Sequence, residues 1–150
     1  MRERFNEFTT LVVSAYKKMK KIKKQQSCVY DTLNIRGPHV MCLYYLGKHP
    51  EGLTITELAT LCYEDKAATS RTVDYLIEKK YLINEEDDVK RRWRSKIKLT
   101  PEGSEVVKTI NKVISKASVV VTADIPEEDL ECFYRVFDKM LLNMDQLVFK

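Results

Sequence analysis

The spacing of the apolar residues constrains this chain more than anything else in it. Apolar positions recur at steps of three and four over most of the length, and the period switches to two only after Tyr81-Leu82-Ile83, until Leu99. A chain of 150 residues patterned in this way is about one domain, mainly helical, with a single hairpin set into it. Only four Gly and four Pro argue the same way, against a turn-rich sandwich or barrel and against a glycine-rich nucleotide loop.

The stripe Phe5, Phe8, Val12, Ala15, Tyr16, Met19, Ile22 predicts a long first helix. A second helix starts after Gly37-Pro38 and runs through Val40, Met41, Leu43, Tyr44 and Leu46, to be stopped by Gly47, Pro50 and Gly52. Thr54 followed by Glu57 reads as a capping box that opens a short helix with Ile55, Leu58, Ala59 and Cys62 inward. After the turn Tyr63-Glu64-Asp65, Asp65 caps a further helix from Lys66 to about Lys80, whose Val73, Leu76 and Ile77 face back onto the preceding one. Two short helices joined so tightly predict a helix-turn-helix.

In the hairpin, Trp93, Ser95, Ile97 and Leu99 fall on one side and Arg94, Lys96 and Lys98 on the other, beyond a charged segment from Asn84 to Lys90. Thr100-Pro101-Glu102 restarts a helix with a broad apolar face, Val106 to Val121, and Pro126 with Glu127, Glu128 and Asp129 opens a last one. The expected fold is therefore mainly α: a winged helix-turn-helix with a two-stranded β wing, flanked by long terminal helices. Those helices carry more bulky apolar residues than one small winged lobe can cover, which predicts burial against a second copy, a homodimer.

Twenty-six Lys and Arg against 22 Asp and Glu leave a net charge of +4, so a basic function must come from placement. Val89 to Lys98 holds six basic residues and no acid, a density suited to phosphates or a narrow minor groove. Lys90, Arg91, Arg92 and Arg94 are the wing candidates, with Arg91 and Arg92 entering the groove. On the candidate recognition helix Lys66, Ala68, Thr69, Ser70 and Arg71 lie at the end that reaches base edges; small residues allow close approach, and Arg71 can fork onto a guanine. Lysines 17, 18, 20, 21, 23 and 24 form a further patch, read as a solvated helix face.

The blocks Leu58-Ala59, Asp65-Lys66-Ala67-Ala68-Thr69-Ser70-Arg71, Leu76-Ile77-Glu78-Lys79-Lys80-Tyr81-Leu82 and Ile97-Lys98-Leu99-Thr100-Pro101-Glu102-Gly103 follow in order. With them, residues 33 to 103 resemble the MarR family of bacterial transcription regulators. Two positions depart from that family's pattern. Tyr81 stands where the family usually has glycine, and the wing-tip triplet falls on Arg91-Arg92-Trp93, without its aspartate, for which Asp87 or Asp88 is a substitute. The resemblance implies residues 1–32 and 104–150 as dimerisation segments around a DNA-binding lobe at 33–103. It also implies a small-molecule effector between the two regions, for which Tyr16, Met41, Tyr44 and Tyr45 are the candidate lining, with plain core as the alternative.

No nucleophile beside a base, paired carboxylates or phosphate loop is present in the pattern, so no catalytic residue and no cofactor is expected. Cys28, Cys42, Cys62 and Cys132 lack metal spacing, and His39 and His49 lack partners, so no metal is expected. Cys42 and Cys62 sit at apolar helical positions, whereas Cys28, placed between the first two helices near lysines, is the candidate redox thiol. No apolar run is long enough for a membrane span or a signal sequence, which predicts a cytoplasmic protein without a membrane partner. The function expected is sequence-specific binding of a double-stranded, pseudo-palindromic operator by a homodimer, most simply as a repressor. The alternatives are a redox-sensing regulator through Cys28, and a winged-helix module that binds protein instead of DNA.

Overall fold

The computed structural model describes residues 2–85 and 94–148. Two compact units make up the chain, Met1–Val113 and Ile114–Lys150. Helix α1 (Arg2–Thr32) is followed by α2 (Gly37–Lys48), α3 (Ile55–Cys62) and α4 (Lys66–Glu78), then β1 (Leu82–Asn84), β2 (Ile97–Leu99), α5 (Pro101–Val121) and α6 (Glu127–Val148). This is the winged helix-turn-helix order with long terminal helices.

Helix α1 is longer than its apolar stripe. Gln25, Gln26 and Ser27 interrupt the stripe without breaking the backbone, and the chain turns only at Asn34, which is left-handed at φ 52°. Cys28 accordingly lies inside α1 and is exposed, rather than in a linker between helices. Helix α2 likewise continues through Gly47 to Lys48. A Cβ at Gly47 would lie 2.7 Å from Val107 Cγ1, so that glycine serves the close approach of α5 instead of ending α2.

Leu43 and Leu46 of α2, Leu58 of α3, Val73 and Leu76 of α4, and Ile110 of α5 form the centre of the first unit's core, all essentially solvent-free. The wing closes one side. Leu82 pairs with Leu99, Ile83 with Lys98 and Asn84 with Ile97 in antiparallel register. Leu53 adds a bridge, its N–H donating to Ile97 O and its carbonyl accepting from Ile97 N. Ser95 is buried beneath the wing, its hydroxyl donating to Asn84 Oδ1.

Within the second unit, α6 opens on Glu127, Glu128 and Asp129, acids that complement the positive end of the helix. Its apolar residues are largely uncovered: Phe133, Tyr134, Leu142 and Leu147 are exposed, Leu147 at 79%. Val119, Val120 and Val121 at the end of α5 are exposed as well, and so are Leu11, Val13 and Tyr16 of α1. No helix among the described residues is long and apolar enough to cross a membrane.

Candidate nucleic-acid interface

The two short helices are fixed at their ends by local chemistry. Thr54 Oγ1 accepts from Glu57 N at 3.2 Å while Thr54 N donates to Glu57 Oε2 at 2.8 Å, completing the capping box on α3. At the other end Tyr63 adopts the left-handed conformation, φ 55°, and Glu64 N donates to Ala59 O at 3.0 Å. A bulky side chain is costly there, and Tyr63 is 90% exposed with no packing to offset that cost. Asp65 Oδ1 then accepts from Ala68 N at 2.7 Å and caps α4.

Helix α4 divides cleanly around its axis. Lys66, Ala67 and Arg71 are exposed, with Ala68 and Ser70 half-buried at the rim of the same turns. Thr69 does not share that surface: it is 2% exposed, because positions 69, 73 and 76 fall on one face and Val73 and Leu76 are core. Its Oγ1 is buried without a hydrogen-bond partner among the described residues. Ala67, absent from the set expected at base edges, belongs to the exposed face.

The end of α4 is closed by Lys80, at φ 63°, rather than by Tyr81. Lys80 N donates to Ile77 O and Tyr81 N to Leu76 O, the two bonds of a Schellman motif, so the left-handed position is one residue earlier than the family pattern implied. Thr100 binds this corner to α5. Its N–H donates to Tyr81 O, its hydroxyl donates to Lys80 O at 2.6 Å, and Thr100 Oγ1 itself accepts from Gly103 N at 3.0 Å. Gly103 has a specific reason to be glycine, since a Cβ there would meet Tyr81 O at 2.0 Å.

On the wing, Arg94 and Lys96 are exposed and Lys98 pairs with Glu85. Lys90, Arg91 and Arg92, with Asp87, Asp88 and Trp93, lie outside the described residues.

A cavity of about 660 Å³ opens beside α4. It is lined from α4 by Ala68, Thr69, Arg71, Thr72 and Tyr75, from α2 by His39, Met41 and Cys42, from the α3 end by Cys62 and Glu64, and from α1 by Lys23. Of the four effector candidates, Met41 is in this lining; Tyr16, Tyr44 and Tyr45 are not. Tyr16 is exposed on α1, Tyr44 packs edge-on to Tyr45, and Tyr45 packs against the core. His39 stacks on Tyr75 with ring centres 4.4 Å apart, and its Nδ1 accepts from Arg36 N at 3.0 Å. Burial, then the Arg36 charge, holds this imidazole below its ordinary pKa. Among the described residues no group of three or more His, Cys, Asp or Glu is placed to hold a metal ion.

Comparison with known proteins places this geometry. Residues 33–92 match the model of the MarR family. A MarR family transcriptional regulator from Silicibacter pomeroyi is 20% identical and has a TM-score of 0.74, over 93% of this chain and 91% of that one. A MarR protein from Peptoclostridium difficile, 18% identical, has a TM-score of 0.74 over 91% of this chain and 88% of that one. The Staphylococcus aureus MarR solved in complex with salicylate and kanamycin, 20% identical, has a TM-score of 0.70 over 97% of this chain and 92% of that one. Residues 33–92, across the helix-turn-helix, are thus similar to the MarR family, and the chain as a whole shares the winged helix-turn-helix fold of these proteins.

Proposed function

We propose that the protein is a transcriptional regulator that binds double-stranded DNA as a homodimer, with the first turns of each α4 in the major groove of a pseudo-palindromic operator. The observation that carries this reading is the exposed start of α4. Lys66, Ala67 and Arg71 stand clear of the core at the end of a helix that Asp65 caps and α2 and α3 hold in place. A positive, small-residue helix start on a rigid support is what entry into a major groove requires. The wing adds phosphate or minor-groove contacts through Lys90, Arg91, Arg92 and Arg94.

The uncovered apolar residues of α1, late α5 and α6 support assembly of two copies, with segments 1–32 and 104–150 as the joining parts around a lobe at 33–103. Occupying an operator in this way blocks transcription, so the regulator acts as a repressor. A small ligand in the cavity beside Met41 and Arg71 would bear on α4 directly, and the salicylate complex of the S. aureus relative is the parallel for release by such a molecule.

The test is retardation of DNA from upstream of the protein's own gene across a salt series. Arg71→Ala weakens binding by about 1–3 kcal/mol, and Arg91→Glu with Arg92→Glu abolishes it or flattens its salt dependence. Undiminished retardation by both variants would overturn the reading in favour of a lobe that binds protein. Light scattering gives the mass of the assembly, and a monomer at working concentration would remove the paired-helix geometry.

A further inference from the structure

Two thiols from different helices meet in the cavity wall. Cys42 Sγ, on α2, lies 3.9 Å from Cys62 Sγ, the last residue of α3, although the two are 20 positions apart in the chain. Cys42 is buried and Cys62 partly so, and both line the 660 Å³ cavity, which gives a small reagent a route to their sulfurs.

The place of the pair matters as much as its spacing. Cys62 directly precedes Tyr63, the left-handed residue of the turn, and Asp65 two residues further caps α4. A covalent S–S bond is about 2.0 Å long, so closing the pair draws the sulfurs together by nearly half their present separation. That pull acts on the end of α3. The nearest bonds along the chain to receive it are those of Glu64 N to Ala59 O, 3.0 Å, and of Ala68 N to Asp65 Oδ1, 2.7 Å.

We propose that Cys42 and Cys62 form a reversible disulfide within one chain when a hydroperoxide enters the cavity, and that closing it loosens the turn and the first turn of α4. The consequence for an operator rests on the DNA-binding reading above; the thiol chemistry does not.

The two sulfurs differ in a way that orders the reaction. Their hydrogen bond pushes the Cys42 thiol well above its ordinary value, burial adding to it, and holds Cys62 below its own against the opposing effect of burial and of the Glu64 charge. Cys62 is therefore the attacking thiolate. Its sulfur takes the terminal oxygen of the peroxide, the O–O bond breaks, and an alcohol leaves after taking a proton, with a sulfenic acid left on Cys62. Cys42 sulfur then attacks Cys62 sulfur, the S–S bond forms, and hydroxide departs with the Cys42 proton as water. Two thiols lose two hydrogens, and the peroxide is reduced to alcohol and water.

The experiment uses full-length protein carrying Cys28→Ser and Cys132→Ser, exposed positions whose removal leaves two thiols. After cumene hydroperoxide, free thiols are alkylated and the protein is digested without reductant. A peptide cross-linked through Cys42 and Cys62, absent after dithiothreitol and in Cys42→Ser, is the expected product. Amide exchange in residues 63–71 is expected to rise by about tenfold on oxidation and to return on reduction, within the range of coupling between linked sites. Alkylation of both thiols after peroxide overturns the proposal, and so does a cross-link that leaves those amides unchanged. If cross-link and exchange both appear but the reduced protein never retards DNA, the switch stands and the operator reading falls.

Discussion

The Tyr75 hydroxyl donates to the Asn34 carbonyl at 2.6 Å, joining the middle of α4 to the left-handed turn that ends α1. His39 stacks on the same ring, and the Lys79 ammonium lies 5.6 Å from its centre. One aromatic side chain thus ties α4 to the start of α2. Tyr75→Phe keeps the stacking and removes the hydrogen bond, so urea unfolding should show a loss of about 1 kcal/mol. No loss would mean that water replaces the bond at no cost.

Protonation of His39 acts on the same contact. Its imidazole is held below its ordinary value of 6.5, so the folded chain resists a proton that the unfolded chain accepts. The stability of the neutral ring is present above that value and is lost as pH falls below it. Melting temperature should decline from pH 7.5 to 5.5 more steeply in the native protein than in His39→Asn. Parallel declines would remove His39 as the cause.

Gly103→Ala should be severe. The new methyl group would meet the Tyr81 carbonyl oxygen, part of a backbone already fixed by Thr100. A loss above about 2 kcal/mol is expected from thermal melts, against about 0.5–1 kcal/mol gained from helix propensity alone. A net gain in stability would show that the corner can yield.

Tyr63→Gly should do the opposite. The residue is left-handed and 90% exposed, so glycine removes strain and gives up almost no packing. An increase of about 1 kcal/mol is expected, offset in part by the greater freedom of the unfolded chain. If stability rises while DNA affinity falls, the tyrosine is held in the turn for its contact surface.

Thr69→Val tests the buried hydroxyl. Valine has the same shape without an oxygen needing a partner, and Thr69 Oγ1 has none among the described residues. Stability should be unchanged or higher by about 1 kcal/mol. A loss of that size would reveal a water or ligand bound to the oxygen in the cavity.

What could be read from the sequence was what is decided within a few residues. Thr54 with Glu57, and Asp65 with Ala68, close their bonds three positions apart, so the starts of α3 and α4 were legible as residue types. Val73 and Leu76 are legible as core for the same reason, and Thr69, four positions before Val73, belongs to their buried face and not to the base-reading one. The end of α1 was not legible, because polar residues that tolerate helix hide it. Nor was the left-handed residue at α4's end: the hydrogen bonds of the corner select Lys80 over Tyr81. The cavity and the paired thiols lay furthest from view. Cys42 and Cys62 each read as ordinary helical core, and only the packing of α2 on α3 makes them neighbours.

The corner built by Lys80, Tyr81, Thr100 and Gly103 leaves no compliant joint between the reading helix and the start of α5. Five backbone or hydroxyl bonds and one missing methyl group make it behave like a soldered elbow. A torque applied to early α5 therefore arrives at α4 undamped, as rotation of one solid piece.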